Sequence, residues 1–300
     1  MTEFLQHSFA GLAFGFQLAL VALGFVIIYK ATHVINFAQG GFVVLGAFLA
    51  YNFTQTWDLP FLVAVALSVA ITASVGIAFE ALALRRMVGQ PVFAVIMITI
   101  GLLIIINQVV TRIWGFTDLD MGDPWGLERV EVADVTLLVK DIWTIVITGV
   151  VLVMFFAFFR YSSLGIAMRA TALDQEAALA QGISARKVFI ASWGIAGAVA
   201  ALAGVTLGAG AGSVQIGIGF VALAAFPAMI LGGLDSPGGA VVGGIVIGLT
   251  QLWTAGYQNK DWFPDWLGAN FHVVMPYVVM ILILLVRPYG LFGTKEVRRV

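Results

Sequence analysis

The chain of 300 residues contains no cysteine and few charged residues. Without cysteine it has no disulfides, no thiolate metal site and no cysteine nucleophile. Only 10% of its residues are charged, whereas a typical soluble domain has about 25%. The formal net charge is −1, so electrostatics does not favour binding to nucleic acid. A soluble, disulfide-linked or nucleic-acid-binding protein is therefore not expected.

Sequence motifs of catalysis are also missing. There is no GxxxxGK[ST] phosphate-binding loop, so the chain has no Walker A site with which to hydrolyse ATP itself. There is no GxSxG nucleophile elbow. His7, His33 and His272 are far apart and show no HExxH or similar metal-binding spacing. We predict that the chain is not an enzyme and holds no metal or other cofactor of its own.

Long apolar segments fill most of the chain. Hydrophobic residues make up 61% of it and the mean hydropathy is +1.03. Windows of roughly 20 apolar residues, the length of a transmembrane helix, recur throughout. We therefore predict an all-α polytopic membrane protein with one domain over residues 1–300. No Lys or Arg precedes the first apolar run, which is the wrong flank for a cleaved signal peptide, so this run is expected to remain as a span.

Nine apolar segments are candidates for transmembrane helices, and we expect seven to nine, about eight, to cross the membrane fully. Their approximate limits are residues 9–29, 34–53, 61–84, 92–110, 142–159, 188–209, 220–231, 240–253 and 273–286.

The basic residues predict the orientation of the chain. With the N-terminus outside and the C-terminus inside, 11 Lys and Arg residues lie inside and 4 outside, as the positive-inside rule prefers. The inside set is Lys30, Arg85, Arg86, Arg160, Arg169, Arg186, Lys187, Arg287, Lys295, Arg298 and Arg299, and the outside set is Arg112, Arg129, Lys140 and Lys260. Residues 160–187 then form a cytoplasmic loop and residues 112–141 an acidic external loop.

Pairs of glycines four residues apart predict close packing between helices, because small residues let two backbones approach. The pairs are Gly11 and Gly15, Gly204 and Gly208, Gly208 and Gly212, Gly239 and Gly243, and Gly244 and Gly248.

Two glycine-rich places predict interrupted spans. One is residues 208–219, which lead into a short apolar segment that contains Pro227; the other is NFAQGG, in which Asn36 and Gln39 lie beside Gly40 and Gly41. Short or glycine-interrupted segments in both halves of a transporter indicate the substrate pathway. We therefore predict that these five named residues border that pathway. For the two amides, an interhelical hydrogen-bond pair is the alternative.

The cytoplasmic loop contains a pattern typical of a short capped helix. Thr171 and Asp174 have the spacing of a capping box at a helix start. Gly182 is placed to end a helix of about ten residues in the left-handed conformation. Such a helix, displayed between membrane spans, would suit the groove of another protein, although a plain surface helix is the alternative.

The middle of every predicted span is uncharged, and Glu80 lies near the inner end of its span. Proton-coupled carriers usually place ionisable groups in the membrane interior, so their absence disfavours a proton-driven carrier. A self-sufficient secondary transporter or channel remains the competing class, and a membrane enzyme is a more distant one.

Five ordered segments resemble signatures of the branched-chain amino-acid ABC transporter permeases, and specifically the shorter of their two paired permease types. They are VINFAQGGFVVLGAFLAY at 34–51, RATALDQEAALAQGI at 169–183, WGIAGAVAALAGVTLG at 193–208, AFPAMILGGLDSPGGAVVGG at 225–244 and RPYGLFG at 287–293.

This resemblance implies the permease subunit of an ATP-driven importer of amino acids, expected to be Leu, Ile and Val, in the bacterial inner membrane. It implies as partners a second permease, two cytoplasmic ATPase subunits that bind ATP and Mg, and a periplasmic solute-binding protein. It places Glu176, Ala177, Ala178 and Gly182 at the ATPase groove. Gln39 departs from the family pattern, in which His is frequent. Related permeases also move urea and short amides, which are the alternative solutes.

Overall fold

The structure is a computed structural model that describes residues 2–87, 89–125, 128–132, 135–260, 262–268 and 270–294. Within these ranges the chain is predominantly helical, as expected for an all-α polytopic membrane protein. The α-helices are α1 Thr2–Thr32, α2 Gln39–Tyr51, α3 Phe61–Leu82, α4 Val92–Trp114, α5 Val139–Tyr161, α6 Ser163–Leu173, α7 Gln175–Ala180, α8 Ala185–Ala211, α9 Val221–Gly232, α10 Pro237–Tyr257 and α11 Phe271–Val286.

Six helical segments of the described chain are long and apolar enough to cross a membrane: Thr2–Thr32, Phe61–Met87, Val92–Trp114, Val139–Tyr161, Ala185–Ala211 and Pro237–Tyr257. Ile216–Gly232 and Phe271–Val286 are shorter apolar helices. The predicted segment 34–53 is not one uninterrupted helix, because only Gln39–Tyr51 is α-helical and a π-helix, Asn52–Thr56, follows it. The number of complete crossings stays a prediction.

Side-chain caps and prolines set several helix starts. The hydroxyl oxygens of Ser162 and Ser236 accept hydrogen bonds from the amides of Gly165 and Gly239, which have no carbonyl acceptor in the first turn. Pro60 and Pro91 immediately precede α3 and α4. These local signals favour helix starts at these positions.

The core of the bundle surrounds α1. In its most apolar 18-residue stretch 83% of the residues are buried, against 22% in α3, 17% in α4 and 22% in α5. A helix that is apolar on all sides is suited to such a central position. The helices α5, α8, α9 and α10 pack against it, whereas α3, α4 and the outward side of α5 leave many large apolar side chains exposed. The outer helices thus provide the apolar surface that a bilayer covers.

Glycines bring the central helices into backbone contact, as the four-residue spacings predict. A Cβ atom on Gly15 of α1 would lie 2.8 Å from Cα of Ile245 of α10. A Cβ on Gly244 would lie 2.6 Å from the backbone nitrogen of Ala19. The pair Gly208 and Gly212 behaves differently, because Gly212 ends α8 with φ +71 and a Cβ there would meet nothing. Its role is to terminate the helix.

Short strands join two connections that are distant in the sequence. β1, Leu119–Asp120, follows α4 and pairs antiparallel with β4, Ser213–Val214, which follows α8. β2, Arg129–Val132, and β3, Val135–Leu138, form a hairpin before α5. None of these strands was predicted from the sequence: β1, β2 and β3 lie within the 112–141 loop, and β4 lies in the glycine-rich segment 208–219.

Two contacts involve basic residues from the predicted inside and outside sets. Lys30, predicted inside, donates to the carbonyl oxygen of Asp235 at 2.8 Å. Lys260, predicted outside, lies 3.1 Å from the carboxylate of Glu3. Which end faces the cytoplasm stays a prediction. Lys295, Arg298 and Arg299 lie outside the described residues.

Candidate functional site

The chain re-enters the packed interior between α1 and α2 without forming an α-helix. His33 has φ +55, and residues 34–38 continue to the start of α2 at Gln39. Asn36 is 1% exposed and Gln39 is fully buried. The predicted interruption at NFAQGG is therefore present, and it places two amide side chains inside the bundle.

These two amides satisfy one another and the neighbouring backbone. Asn36 Nδ2 donates to Gln39 Oε1 at 3.2 Å, and Asn36 Oδ1 accepts from the amide of Ala38 at 2.9 Å. Gln39 Nε2 donates to the carbonyl oxygen of Ala196 in α8 at 3.3 Å. In this arrangement the amides hold α2 against α8, as in the interhelical hydrogen-bond pair that the sequence analysis gave as the alternative to a pathway role. Their contact with a solute stays a prediction.

The second interrupted span lies between α8 and α10. After Gly212 the chain forms β4, a 3-10 helix over Ile216–Phe220, and then α9. Pro227 is buried inside α9, where it supplies no backbone donor. The ring of Phe226, next to Pro227, packs edge-on against Phe25 at a centroid distance of 5.3 Å.

The two interrupted spans meet at a pair of glycines. A Cβ on Gly40 would lie 2.7 Å from the carbonyl oxygen of Gly219, and a Cβ on Gly219 would lie 3.1 Å from the carbonyl oxygen of Gly40. Only glycine allows the first turn of α2 to lie this close to the 3-10 helix before α9. The structure thus brings together the two places that the sequence singled out separately.

A cleft of about 180 Å³ lies beside this contact. Its walls are mainly apolar and include Phe37, Leu103, Leu223 and Phe226. Gly40 also lines it, whereas Gly41 packs against Leu103 and Ile106, and neither Gly41 nor Pro227 borders the cleft.

Asn107 is the polar side chain of the cleft that sequence analysis missed. It lies in α4, lines the cleft, and its buried Oδ1 has no hydrogen-bond partner among the described residues. An asparagine inside a 23-residue apolar helix is itself a signal, because a polar group at that depth needs a partner. The start of α2 adds partial positive charge from its first-turn amides. The cleft is therefore apolar with a few polar groups, as small-molecule sites usually are.

The predicted coupling helix is present but shorter than expected. It is α7, and Asp174 caps it by accepting from the amide of Ala177 at 2.9 Å. Thr171 is not part of a capping box at its start: it is buried in the last turn of α6, and its hydroxyl has no partner among the described residues. The helix therefore begins after Asp174 and has six residues instead of about ten.

Gly182 ends α7 as predicted. Its φ is +81, and the amide of Ile183 donates to the carbonyl oxygen of Ala178 at 3.0 Å. The amide of Gly182 donates to the carbonyl oxygen of Leu179 at 2.9 Å. These two bonds form a Schellman motif, which requires the left-handed conformation that glycine adopts without strain.

One face of α7 is open to solvent. Glu176, Ala177 and Gly182 are exposed, whereas Ala178 is 5% exposed and packs inside the chain. Sequence analysis did not single out the leucines beside this face: Leu173 is 89% exposed and Leu179 51% exposed. We call Leu173, Glu176, Ala177, Leu179 and Gly182 the α7 face.

Comparison with known proteins identifies relatives over nearly the whole chain. The family described as "Branched-chain amino acid transport system / permease component" matches residues 8–284. The chain is 30% identical to the high-affinity branched-chain amino acid transport system permease protein LivH of Escherichia coli K12, over 99% of this chain and 98% of that protein.

Two further relatives are more distant. The chain is 29% identical to the high-affinity branched-chain amino acid transport system permease protein BraD of Pseudomonas aeruginosa PAO1, over 99% of this chain and 98% of BraD. It is 27% identical to a probable branched-chain amino acid transport permease protein LivH of Methanocaldococcus jannaschii, over 94% and 91% of the two chains. Among solved structures, PsaBC from Streptococcus pneumoniae in complex with Fab aligns over 95% of this chain and 92% of that chain, with 14% identity and a TM-score of 0.46.

Proposed function

This chain belongs to the branched-chain amino acid transport system permease family, and from that premise we propose that it is the permease subunit of an ATP-driven importer of Leu, Ile and Val. One observation carries the proposal: the match to a permease named for branched-chain amino acid transport covers 99% of this chain and 98% of that protein. The chain is a transport subunit of a multi-component system, not an enzyme. Its apolar helices and its bacterial permease relatives make it a multi-pass protein of the bacterial inner membrane.

The cleft beside Gly40 is the proposed solute pathway. Its apolar walls suit an aliphatic side chain, and the first-turn amides of α2 suit a carboxylate. The unpartnered Oδ1 of Asn107 adds an acceptor for an ammonium group. Asn36 and Gln39 are next in the chain to the cleft-lining residues Phe37 and Gly40, and their hydrogen bonds position the start of α2.

The proposed partners follow from what the chain lacks. Because it has no Walker A sequence, ATP and Mg are expected on two cytoplasmic ATPase subunits, and no cofactor is expected in this chain. A second permease completes the pathway and a periplasmic solute-binding protein delivers the solute. The exposed apolar side chains of α4 and α5 give the second permease or the bilayer an apolar surface to cover.

The α7 face is the proposed contact with an ATPase subunit. Leu173 leaves 89% of its surface in solvent, which favours burial by a partner. The caps at Asp174 and Gly182 make α7 a defined element despite its length. Ala178, which packs internally, supports the helix from behind.

Transport by the assembled system tests the proposed function. The chain and its partner subunits, reconstituted in proteoliposomes with the solute-binding protein, should accumulate labelled Leu, Ile and Val only when ATP is supplied. Urea and short amides serve as competing solutes. Uptake that needs neither ATP nor the binding protein would indicate a self-sufficient transporter or channel, and uptake of urea alone would contradict the assigned solute.

A further inference from the structure

A cavity of about 410 Å³ lies at the end of the bundle that carries α7. The last turn of α1, the second half of α6, the end of α9 and the segment 288–294 after α11 bound it. Among the described residues, none that lines this cavity also lines the cleft beside Gly40. The cavity is therefore separate from the proposed solute pathway.

Two basic side chains line this cavity and repel each other. Lys30 comes from α1 and Arg169 from α6, and the positive charge of Arg169 acts against that of Lys30. The ammonium group of Lys30 donates to the carbonyl oxygen of Asp235 at 2.8 Å. The guanidinium group of Arg169 donates to the carbonyl oxygens of Phe159 and Arg160. Neither cation forms a salt bridge with a carboxylate of the described chain.

Asp235 is the one carboxylate among the described lining residues, and it does not neutralise both cations. It attracts the ammonium group of Lys30, but its oxygens accept hydrogen bonds from the backbone amide and the hydroxyl of Thr294. Two cations and one carboxylate leave the lining residues with an excess of one positive charge. Lysine has three N–H donors and arginine five, so donors remain beyond the bonds to carbonyl oxygens. An anionic group would therefore be attracted and would find donors.

The rest of the wall is mainly apolar. Ile230 and Leu234 line the cavity, and so does Leu173, which is largely exposed. Tyr289, on the other wall, follows α11, whose last residues Leu285 and Val286 are also largely exposed. The wall is thus continuous in the chain with an apolar helix surface of the kind that a bilayer covers. A ligand that is both anionic and apolar fits this combination.

We propose that the cavity binds an anionic phospholipid from the adjacent membrane leaflet. Its phosphate group accepts hydrogen bonds from Lys30 and Arg169, and its acyl chains lie against the apolar wall and α11. Basic pockets between transmembrane helices recognise anionic headgroups in this way. Inorganic phosphate has the same anionic group but nothing to cover the apolar wall. The proposal does not depend on which solute the protein transports.

The site also lies beside the proposed coupling segment. Leu173 is the last residue of α6 and belongs to the α7 face, and Arg169 lies one turn before it. A phosphate group that binds both Lys30 and Arg169 would hold α6 against the end of α1. The lipid would thus support the helix that leads into α7.

Native mass spectrometry of the full-length chain, released from detergent micelles, tests the site because it counts bound lipid molecules. Dioleoylphosphatidylglycerol should bind the wild type at least about fivefold more tightly than dioleoylphosphatidylcholine, whose choline cation opposes the basic residues. Lys30→Gln and Arg169→Gln should each weaken binding of the anionic lipid at least about tenfold, because each removes a charge-assisted hydrogen bond. Ala172→Trp fills the cavity but keeps both cations, and it should abolish the tight binding.

Two basic residues outside the cavity give matched controls. Lys140 also donates to a backbone carbonyl oxygen, that of Gly210, at 2.8 Å, so Lys140→Gln removes the same charge and the same kind of bond as Lys30→Gln. Arg160 is an exposed basic residue at the same end of the bundle as Arg169. Lys140→Gln and Arg160→Gln should bind the anionic lipid as the wild type does. Equal weakening by Lys30→Gln and Lys140→Gln would overturn the inference.

Measurements on the wild type keep the test valid if a variant fails to fold. Equal affinity for the two lipids would show that the excess positive charge selects nothing. Displacement of the anionic lipid by millimolar inorganic phosphate would assign the site to a free anion. Loss of the lipid when ATPase subunits bind would assign the cavity to an acidic side chain of a partner. Each of these three results would overturn the proposed lipid site.

Discussion

Gly244→Ala should loosen the contact on which the central bundle depends. A methyl group there would lie 2.6 Å from the backbone nitrogen, 2.7 Å from Cα and 2.8 Å from Cβ of Ala19 in α1. Carbon atoms pack best at about 3.5–4.0 Å. Because Ala19 offers no flexible side chain that can move aside, α1 and α10 must separate by about 1 Å to reach that distance.

The expected loss follows from this separation. A gap of that size removes about a quarter to a half of the dispersion energy of each facing contact, and overpacking a core typically costs about 1–3 kcal/mol. The better helix propensity of alanine returns about 1 kcal/mol at most. With a cost near the middle of that range, about 2 kcal/mol, and a return of about 1 kcal/mol, we expect a net destabilisation of about 1 kcal/mol.

Gly101→Ala is the matched control. Gly101 is also a helical glycine, in α4, but nothing lies within 4 Å of a Cβ built there. Without a clash, alanine should stabilise the helix by about 0.5–1 kcal/mol. Both variants add one methyl group to a helical glycine, but Gly244→Ala should lower the stability of the protein and Gly101→Ala should raise it.

Thermal unfolding of the purified protein in detergent, followed by the loss of monodisperse material, measures the difference. Gly244→Ala should unfold several degrees below the wild type, since about 1 kcal/mol corresponds to roughly 2–4 °C in a chain of this size class. Gly101→Ala should unfold at or above the wild-type temperature. Equal unfolding temperatures for the two variants would refute the argument that backbone contact between α1 and α10 limits stability.

Three further predictions concern the proposed pathway and the α7 face. Glu176→Arg should leave membrane insertion intact but separate ATP hydrolysis from uptake, which parallel ATPase and transport assays measure; unchanged uptake would remove the docking proposal. Gly182→Ala should destabilise the end of α7 by about 1 kcal/mol because of the φ of +81 at this position, and Gly182→Asn should destabilise it less. Hydrogen exchange at the amide of Ile183 should therefore be faster in Gly182→Ala than in Gly182→Asn, and the reverse order would contradict the strain argument. Cysteines replacing Asn36 or Gln39 should react with small polar thiol reagents only in some states of the transport cycle, and inertness in every state would limit these residues to helix packing.

Much of the architecture could be predicted because its causes are local in the sequence. The long apolar segments specify membrane helices, since a backbone in lipid must satisfy its hydrogen bonds internally. Gly182 was predicted as a helix end because a left-handed position favours glycine wherever it occurs. The spacing of Gly244 and Gly248 predicted a close helix contact, although not that α1 is the partner.

The wrong and missed predictions concern local patterns that are compatible with more than one structure. Thr171 and Asp174 have the spacing of a capping box, but α6 continues through Thr171 because its buried side chain packs inside the chain. Tertiary burial outweighed a local preference of about 1 kcal/mol. The pairing of β1 with β4 was missed because a two-residue strand has no periodicity to detect.

The sequence by itself determined that the chain is a helical polytopic membrane protein, approximately where its long apolar helices lie, and which segments are interrupted, because hydropathy, charge, glycine spacing and caps act over a few residues. Only the tertiary structure decided that Gly40 meets Gly219, that Asn107 lines the resulting cleft, and that Lys30 and Arg169 line one cavity. These residues are far apart in the chain, and whether a buried polar group has a partner depends on the helices that pack against it, which no local pattern encodes.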